Sequence, residues 1–348
     1  MKRKQIKNWL LGITTALLLI PFISLADKPF ERIVVFGDSL SDPGNAFYLS
    51  GRKLKPPYDS LDDFLIPDAP YARGGKHFSN GATWIEQLAN KLDLRDSVKP
   101  AFKGENEGKL KRTNYAVGGA RAHEDGININ LTAQMNAFIA DAQGVASGDA
   151  LYVIALGGND VRDAVAALST DPTGSASSEI LGSALMTISD SIFALYNAGA
   201  RKLLIANSPD LSLTPAIQIL DIFSPGASLA AALISLQFNV EFDTLLDTLS
   251  TVFPDLEIAR LDVYQRVHDI VANPDEFGLK NVQDACVMPN QPPFVCKKPK
   301  RYLFWDGIHP TRAAHRILAV NAAAVLMVRE DNHCERDEDH IRRSDRCR

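Results

Sequence analysis

Apolar residues fall along this chain in two alternating rhythms. Continuous apolar runs of strand length occupy 33–36 and 150–156, and 202–206 and 256–263 read as further strands. Unbroken apolarity of that length marks strands covered on both faces, as in a parallel sheet. A shorter stretch, Tyr115-Ala116-Val117, predicts one more strand. Between these runs, apolar positions recur at helical spacing over 81–92, 129–142, 177–198, 227–249, 264–271 and 311–328. Ser79 or Asn80 is placed to cap the first of these helices, and Gly199 to stop the third. Strands that alternate with helices predict an α/β fold, a three-layer α/β/α sandwich around a central, mostly parallel five-stranded sheet.

Residues 50–80 break both rhythms. Pro56, Pro57, Pro67 and Pro70 exclude a regular helix or a central strand there. Tyr58, Phe64, Tyr71 and Phe78 give the segment apolar surface, either as one wall of a cleft or as a surface excursion held down by its rings. No repeat, low-complexity tract or linker divides the chain, so 27–329 reads as one domain followed by a charged tail, 330–348.

The first residues read differently. Lys2, Arg3, Lys4 and Lys7 precede an apolar run over 9–20, and Ser24-Leu25-Ala26 follows. That layout predicts a signal peptide over 1–26, cleaved after Ala26, and a mature protein that is extracellular or periplasmic. Pro21 interrupts the apolar core, which falls short of the roughly 20 residues a spanning helix needs. No later run reads as a membrane span, so the mature chain is expected to be soluble.

Export changes the meaning of the four cysteines. In an oxidising compartment local disulfides are expected, and proximity favours Cys286 with Cys296 and Cys334 with Cys347 among three pairings. No Cys-x-x-Cys pair suggests a zinc site, and no metal is expected. The formal net charge of -5 and the absence of a long basic run argue against nucleic-acid binding.

The chemistry begins where the first strand ends, in Gly37-Asp38-Ser39-Leu40-Ser41-Asp42. A serine at the carboxyl end of a sheet strand stands at the edge where open α/β sheets bind ligands. Ser39 is therefore a candidate nucleophile, and a serine needs a base to take its proton. Trp305-Asp306-Gly307-Ile308-His309-Pro310-Thr311 supplies a histidine and a carboxylate three residues apart, ahead of the last helix. An acid so placed can hold the imidazole tautomer that deprotonates serine. Alone, an Asp-x-x-His is more often a turn with a surface histidine. His77, His123, His268, His315, His333 and His340 have no carboxylate in so constrained a turn. Gly118-Gly119 and Gly157-Gly158-Asn159 follow predicted strands and offer backbone and amide donors for an oxyanion.

Taken together, these motifs resemble the GDSL, or SGNH, hydrolase family. Asn207-Ser208-Pro209-Asp210-Leu211 and His77-Phe78-Ser79-Asn80-Gly81 are similar to further stretches of that family. The resemblance implies a flavodoxin-like sandwich with Ser39 as nucleophile, His309 as base and Asp306 as its orienting acid. It also implies an oxyanion hole from the N–H groups of Ser39 and Gly119 and the side chain of Asn159. Gly118 is the neighbouring alternative to Gly119. Within the family the layout is most similar to exported bacterial lysophospholipases and glycerophospholipid:cholesterol acyltransferases, some of which carry a late disulfide loop. The expected reaction is hydrolysis of an acyl ester, a lipid ester above all, with no cofactor and with transient contact to a membrane surface. Acyl transfer to an alcohol such as a sterol, or removal of acetyl groups from carbohydrate, would use the same residues.

Overall fold

The structure is a computed structural model that describes residues 29–54, 61–104, 110–289 and 291–338. The leader 1–26 and Cys347 lie outside these residues, and so does the second expected disulfide.

Strands β1 (Ile33–Gly37), β2 (Leu151–Ala155), β3 (Lys202–Ala206) and β4 (Glu257–Leu261) lie side by side in that order, all parallel. Their carboxyl ends are level, with Gly37 opposite Ala155, Ala155 opposite Ala206 and Ala206 opposite Leu261. Alternate side chains enter two separate cores, as the period of a strand requires. Val34, Phe36, Tyr152, Ile154, Leu203 and Ile205 pack on one face. Ile33, Val35, Leu151, Val153, Leu204 and Ala259 pack on the other.

The main sheet thus has four regular strands where five were expected. Residues 113–117 do run beside β1, with Val35 N–H donating to Thr113 O (2.8 Å) and Tyr115 N–H to Val35 O (2.8 Å). Regularity fails at Asn114, whose side chain competes with the ladder. Its Oδ1 accepts from Ala116 N–H (3.0 Å) and its amide donates to Ser41 O (2.9 Å). Counting this segment beside β1, the order is that of a flavodoxin-like sheet, which reverses direction between β1 and β2.

The helices are α1 (Asn45–Leu49), α2 (Trp84–Lys91), α3 (Leu131–Asp141), α4 (Gly158–Ala167), α5 (Ser175–Ala198), α6 (Pro215–Phe223), α7 (Ala227–Val252), α8 (Val263–Ala272) and α9 (Arg312–Glu338). Helices α3, α4, α5 and α7 cover the first face, and α2 and α9 cover the second. The short helices α1, α4 and α6 are additions to the expected set. Helix α9 continues to Glu338, so the charged tail begins inside it. By length and composition α5 and α7 would each suffice to cross a bilayer, contrary to expectation, but each buries one face in the molecule.

Two expected caps serve elsewhere. Helix α2 starts at Trp84, and Thr83 N–H donates to Glu86 Oε2 (2.8 Å) in a capping box. Asn80 Oδ1 instead accepts from Arg312 N–H (2.7 Å) at the start of α9, and Ser79 Oγ donates to Pro310 O (2.7 Å). A second, two-stranded sheet of β5 (Asn281–Ala285) and β6 (Tyr302–Phe304) was not foreseen. Beside it Cys286 and Cys296 are joined, with Cα atoms 4.9 Å apart, and both pack with Tyr71 and Trp305.

Candidate active site

The loops that leave the carboxyl edge of the sheet gather around Ser39. Gln134 of α3 fixes the end of β1, since its Oε1 accepts from Gly37 N–H (2.9 Å) and its amide donates to Gly37 O (2.8 Å). Two residues on, Ser39 is 8% exposed and its Oγ lies 2.9 Å from His309 Nε2. His309 Nδ1 faces both Asp306 oxygens, at 2.9 and 2.8 Å. Serine, imidazole and carboxylate therefore stand in one hydrogen-bonded row, the geometry that activates a serine hydroxyl.

The carboxylate of Asp306 is fully buried and well supplied with donors. Its Oδ1 accepts from the N–H groups of Ile308 (3.0 Å) and His309 (2.8 Å), and its Oδ2 from the Tyr71 hydroxyl (2.9 Å). Tyr71 thus brings the Pro-rich segment into the site, where Phe78 also lies 5.4 Å from the His309 ring. The described part of that segment packs against the catalytic turn, and none of it lines the cleft that holds Ser39. No local spacing links Tyr71 to Asp306, and only the density of rings in 50–80 hinted that the segment packs on something. Tyr71→Phe removes one charge-assisted hydrogen bond while keeping the ring. It is expected to lower kcat on a soluble ester about tenfold with unchanged circular dichroism.

The candidate oxyanion donors sit on neighbouring loops. Asn159, in the first turn of α4, lines the same cleft as Ser39 and His309. One of its amide hydrogens goes to Ala120 O (2.8 Å), which leaves its second for a ligand. Gly119 is not among the residues lining that cleft; it lies on the turn after Val117, whose N–H donates to Gly37 O (3.1 Å). Between the two neighbouring glycines the hydrogen bonds discriminate. Gly118 N–H is taken by Asp42 Oδ2 (2.9 Å), whereas among the described residues no acceptor takes Gly119 N–H. Gly119 has φ +83°, a conformation glycine adopts without strain. Its carbonyl accepts from Arg121, and Arg121 is held in turn by Asp163 of α4 (2.7 Å).

Two further carboxylates frame the serine turn. Asp42 is fully buried and accepts four backbone N–H groups, those of Gly44, Asn45, Ala46 and Gly118. Asp38 lines the cleft, and its Oδ1 accepts from Leu40 N–H (2.9 Å). Burial pushes the Asp38 carboxyl up to about 6 from the usual 3.8, against the opposing pull of the Leu40 N–H and His309. An acid raised in this way binds a proton on folding, so its ionisation costs stability above about pH 6 and nothing below pH 3.8. Asp38→Asn is therefore expected to stabilise the fold by up to about 3 kcal/mol at pH 8 and to leave it unchanged at pH 3.5, read by thermal melts.

The remaining described histidines serve structure or lie aside. His315 is buried, its Nδ1 accepts from Trp84 N–H (3.2 Å), and burial holds it down at about 3. His77 pairs with Glu86 (2.8 Å), His123 with Asp160 (2.7 Å) and His268 with Asp210 (3.0 Å). Among the described residues no group of histidine, cysteine and acidic side chains is arranged to hold a metal ion.

Ser39, His309 and Asp306 form a buried hydrogen-bonded row at the carboxyl edge of a parallel sheet, the arrangement that serine hydrolases use. Comparison with known proteins points the same way. The family profile described as GDSL-like Lipase/Acylhydrolase matches residues 33–321. GDSL esterase/lipase 7 of Arabidopsis thaliana is 28% identical over 324 residues, 82% of this chain and 86% of its own length. GDSL esterase/lipase At5g42170 of the same plant is 26% identical over 318 residues, 82% and 83% of the two chains. A Bacillus subtilis protein of known crystal structure superposes with a TM-score of 0.38 at 17% identity, over 86% of this chain and 56% of its own. The chain belongs to the GDSL-like lipase/acylhydrolase family, whose activity is the hydrolysis of acyl esters.

Proposed function

We propose that the protein is an exported serine hydrolase acting on the acyl esters of lipids. Ser39 Oγ attacks the ester carbonyl while His309 Nε2 takes its proton, and Asp306 stabilises the imidazolium that forms. The N–H groups of Ser39 and Gly119 and the amide of Asn159 receive the oxyanion. His309 then passes its proton to the leaving alcohol, and water repeats the cycle on the acyl-enzyme to release the acid. The disulfide between Cys286 and Cys296 supports an oxidising compartment, in keeping with the leader-like first residues.

The observation that carries the lipid reading is the shape of the cleft behind Ser39. It runs between α8, α9 and β6, walled by Leu211, Val263, Val267, Ile270, Leu303 and Leu318. Apolar walls of that kind suit an acyl chain. A series of nitrophenyl esters from acetate upwards tests this. Each added methylene is expected to raise kcat/KM about fourfold until the slot is filled. A preference for acetate alone would assign the site to acetyl esters instead.

A further inference from the structure

Beyond the catalytic cleft, one surface stands out for what it lacks. Residues 215–240, which include α6 and the first half of α7, contain a single charged side chain, Asp221. Its carboxylate is turned inward on the hairpin, accepting from the N–H groups of Gly226 (3.0 Å) and Ser228 (2.9 Å). At the tip Ile222 and Phe223 are 76% and 74% exposed. Along α7, Leu229, Leu233, Leu236 and Val240 follow at intervals of four, three and four residues, all between 47% and 66% exposed. That spacing puts them on one outward stripe, while Phe238 and Phe242 fill the core on the other side.

The stripe ends abruptly. Beyond Val240 the outward residues of α7 include Glu241, Asp243, Thr244, Asp247 and Thr248, with Val252 the one exposed apolar residue at its end. The helix is thus divided along its length into an uncharged half of about 20 Å and an acidic half. The fold puts the uncharged half at the site. Asn239 exchanges two hydrogen bonds with Ser208 just beyond β3, and Ser235 Oγ accepts from N–H of Leu211, a wall of the cleft. Helix α6 is tied directly to the catalytic turn, Ala216 N–H donating to Gly307 O (2.9 Å). The acidic half lies farther along α7, where Asp247 pairs with Arg260 of β4 (2.6 Å).

We propose that the α6–α7 hairpin docks the protein, tip first, on a lipid surface without net charge. The proposal rests on the lipid-ester reading and adds to it how the cleft meets its substrate. An uncharged apolar stripe gains by burial among acyl chains, whereas its lack of Lys and Arg gives anionic headgroups nothing to attract. The acidic half stays in water. Anchorage to Leu211, a wall of the cleft, and to Gly307 of the catalytic turn favours a lipid surface over a second copy of this chain, because the acyl chain has to reach Ser39.

The test uses the mature chain from Asp27 carrying Ser39→Ala, so that lipid is not consumed, and vesicles of phosphatidylcholine with brominated acyl chains. Phe223→Trp reports from the tip and Thr248→Trp from the acidic half. Trp84 and Trp305 are buried and are the two tryptophans that the chain after Ala26 holds, so they give one background common to all variants. Strong quenching and a blue shift are expected at position 223 and only background at 248, unchanged by salt or by added anionic lipid. Adding Leu233→Asp is expected to weaken vesicle binding about tenfold, while the same change beside an intact Ser39 keeps the melting temperature and kcat/KM on a soluble short-chain ester. Equal quenching at the two positions, no quenching, binding indifferent to Leu233→Asp, or a dimer in solution that Leu233→Asp breaks would each overturn the proposal. Quenching without any hydrolysis of the soluble ester would instead fault the catalytic reading alone.

Discussion

Ser39→Ala is expected to lower kcat for ester cleavage by about 10⁵-fold while the melting temperature stays where it was. The side chain is small and stands at the cleft, so the change removes one hydroxyl and leaves the cores of the sheet untouched. What remains is a histidine with no proton to take and oxyanion donors with no tetrahedral intermediate to hold. Labelling by a fluorophosphonate probe gives a second measurement. The wild-type serine is expected to react, since His309 Nε2 lies 2.9 Å from its Oγ, and labelling to vanish in Ser39→Ala and to fall steeply in His309→Ala. Ester turnover near the wild-type rate in Ser39→Ala would remove Ser39 from the mechanism.

Gly307→Ala is expected to be comparably severe by a different route. A Cβ at this position would lie 2.0 Å from Phe64 O and 3.2 Å from the backbone of Leu65. Those atoms belong to the Pro-rich segment, whose Leu65 O accepts from Gly307 N–H (2.9 Å). Neither backbone has a flexible side chain to move aside, so segment and catalytic turn must part. The cost is expected to be about 3 kcal/mol of stability. A parallel loss of about 100-fold or more in kcat is expected as Tyr71 draws away from Asp306. Denaturant unfolding and steady-state kinetics on one ester read the two effects, and a variant with wild-type stability would show that the close packing of the two segments is dispensable.

The sheet was legible because a strand covered on both faces must be apolar throughout, and 33–36, 150–156 and 203–206 obey that rule. The serine turn and the Asp-x-x-His turn were legible for another reason, since each is a local cluster whose chemistry suggests a partner, and the two converge in space. What stayed hidden depends on pairs far apart in the chain. Nothing near Tyr71 announces a bond to Asp306, and nothing near Asn80 says that it caps a helix starting at Arg312 rather than the one beside it. The broken strand at 113–117 turns on one asparagine whose amide prefers Ser41 O to solvent. Strand β5, Asn281–Ala285, is polar and half exposed, so no apolar rhythm could reveal it. Local pattern determines the elements, and side chains that reach across the chain determine how the site is braced.

The distance along the chain between the two reacting groups bears on when the protein becomes active. Ser39 and His309 are separated by 270 residues, so their meeting is among the last events in making the molecule. Closing so long a loop brings no reward until α9 has docked against α2 and β4. A growing chain that has folded β1 to β4 already carries Ser39, Gly119 and Asn159 in position, yet it has no base. On the proposed mechanism, ester cleavage awaits the docking of the segment that carries His309.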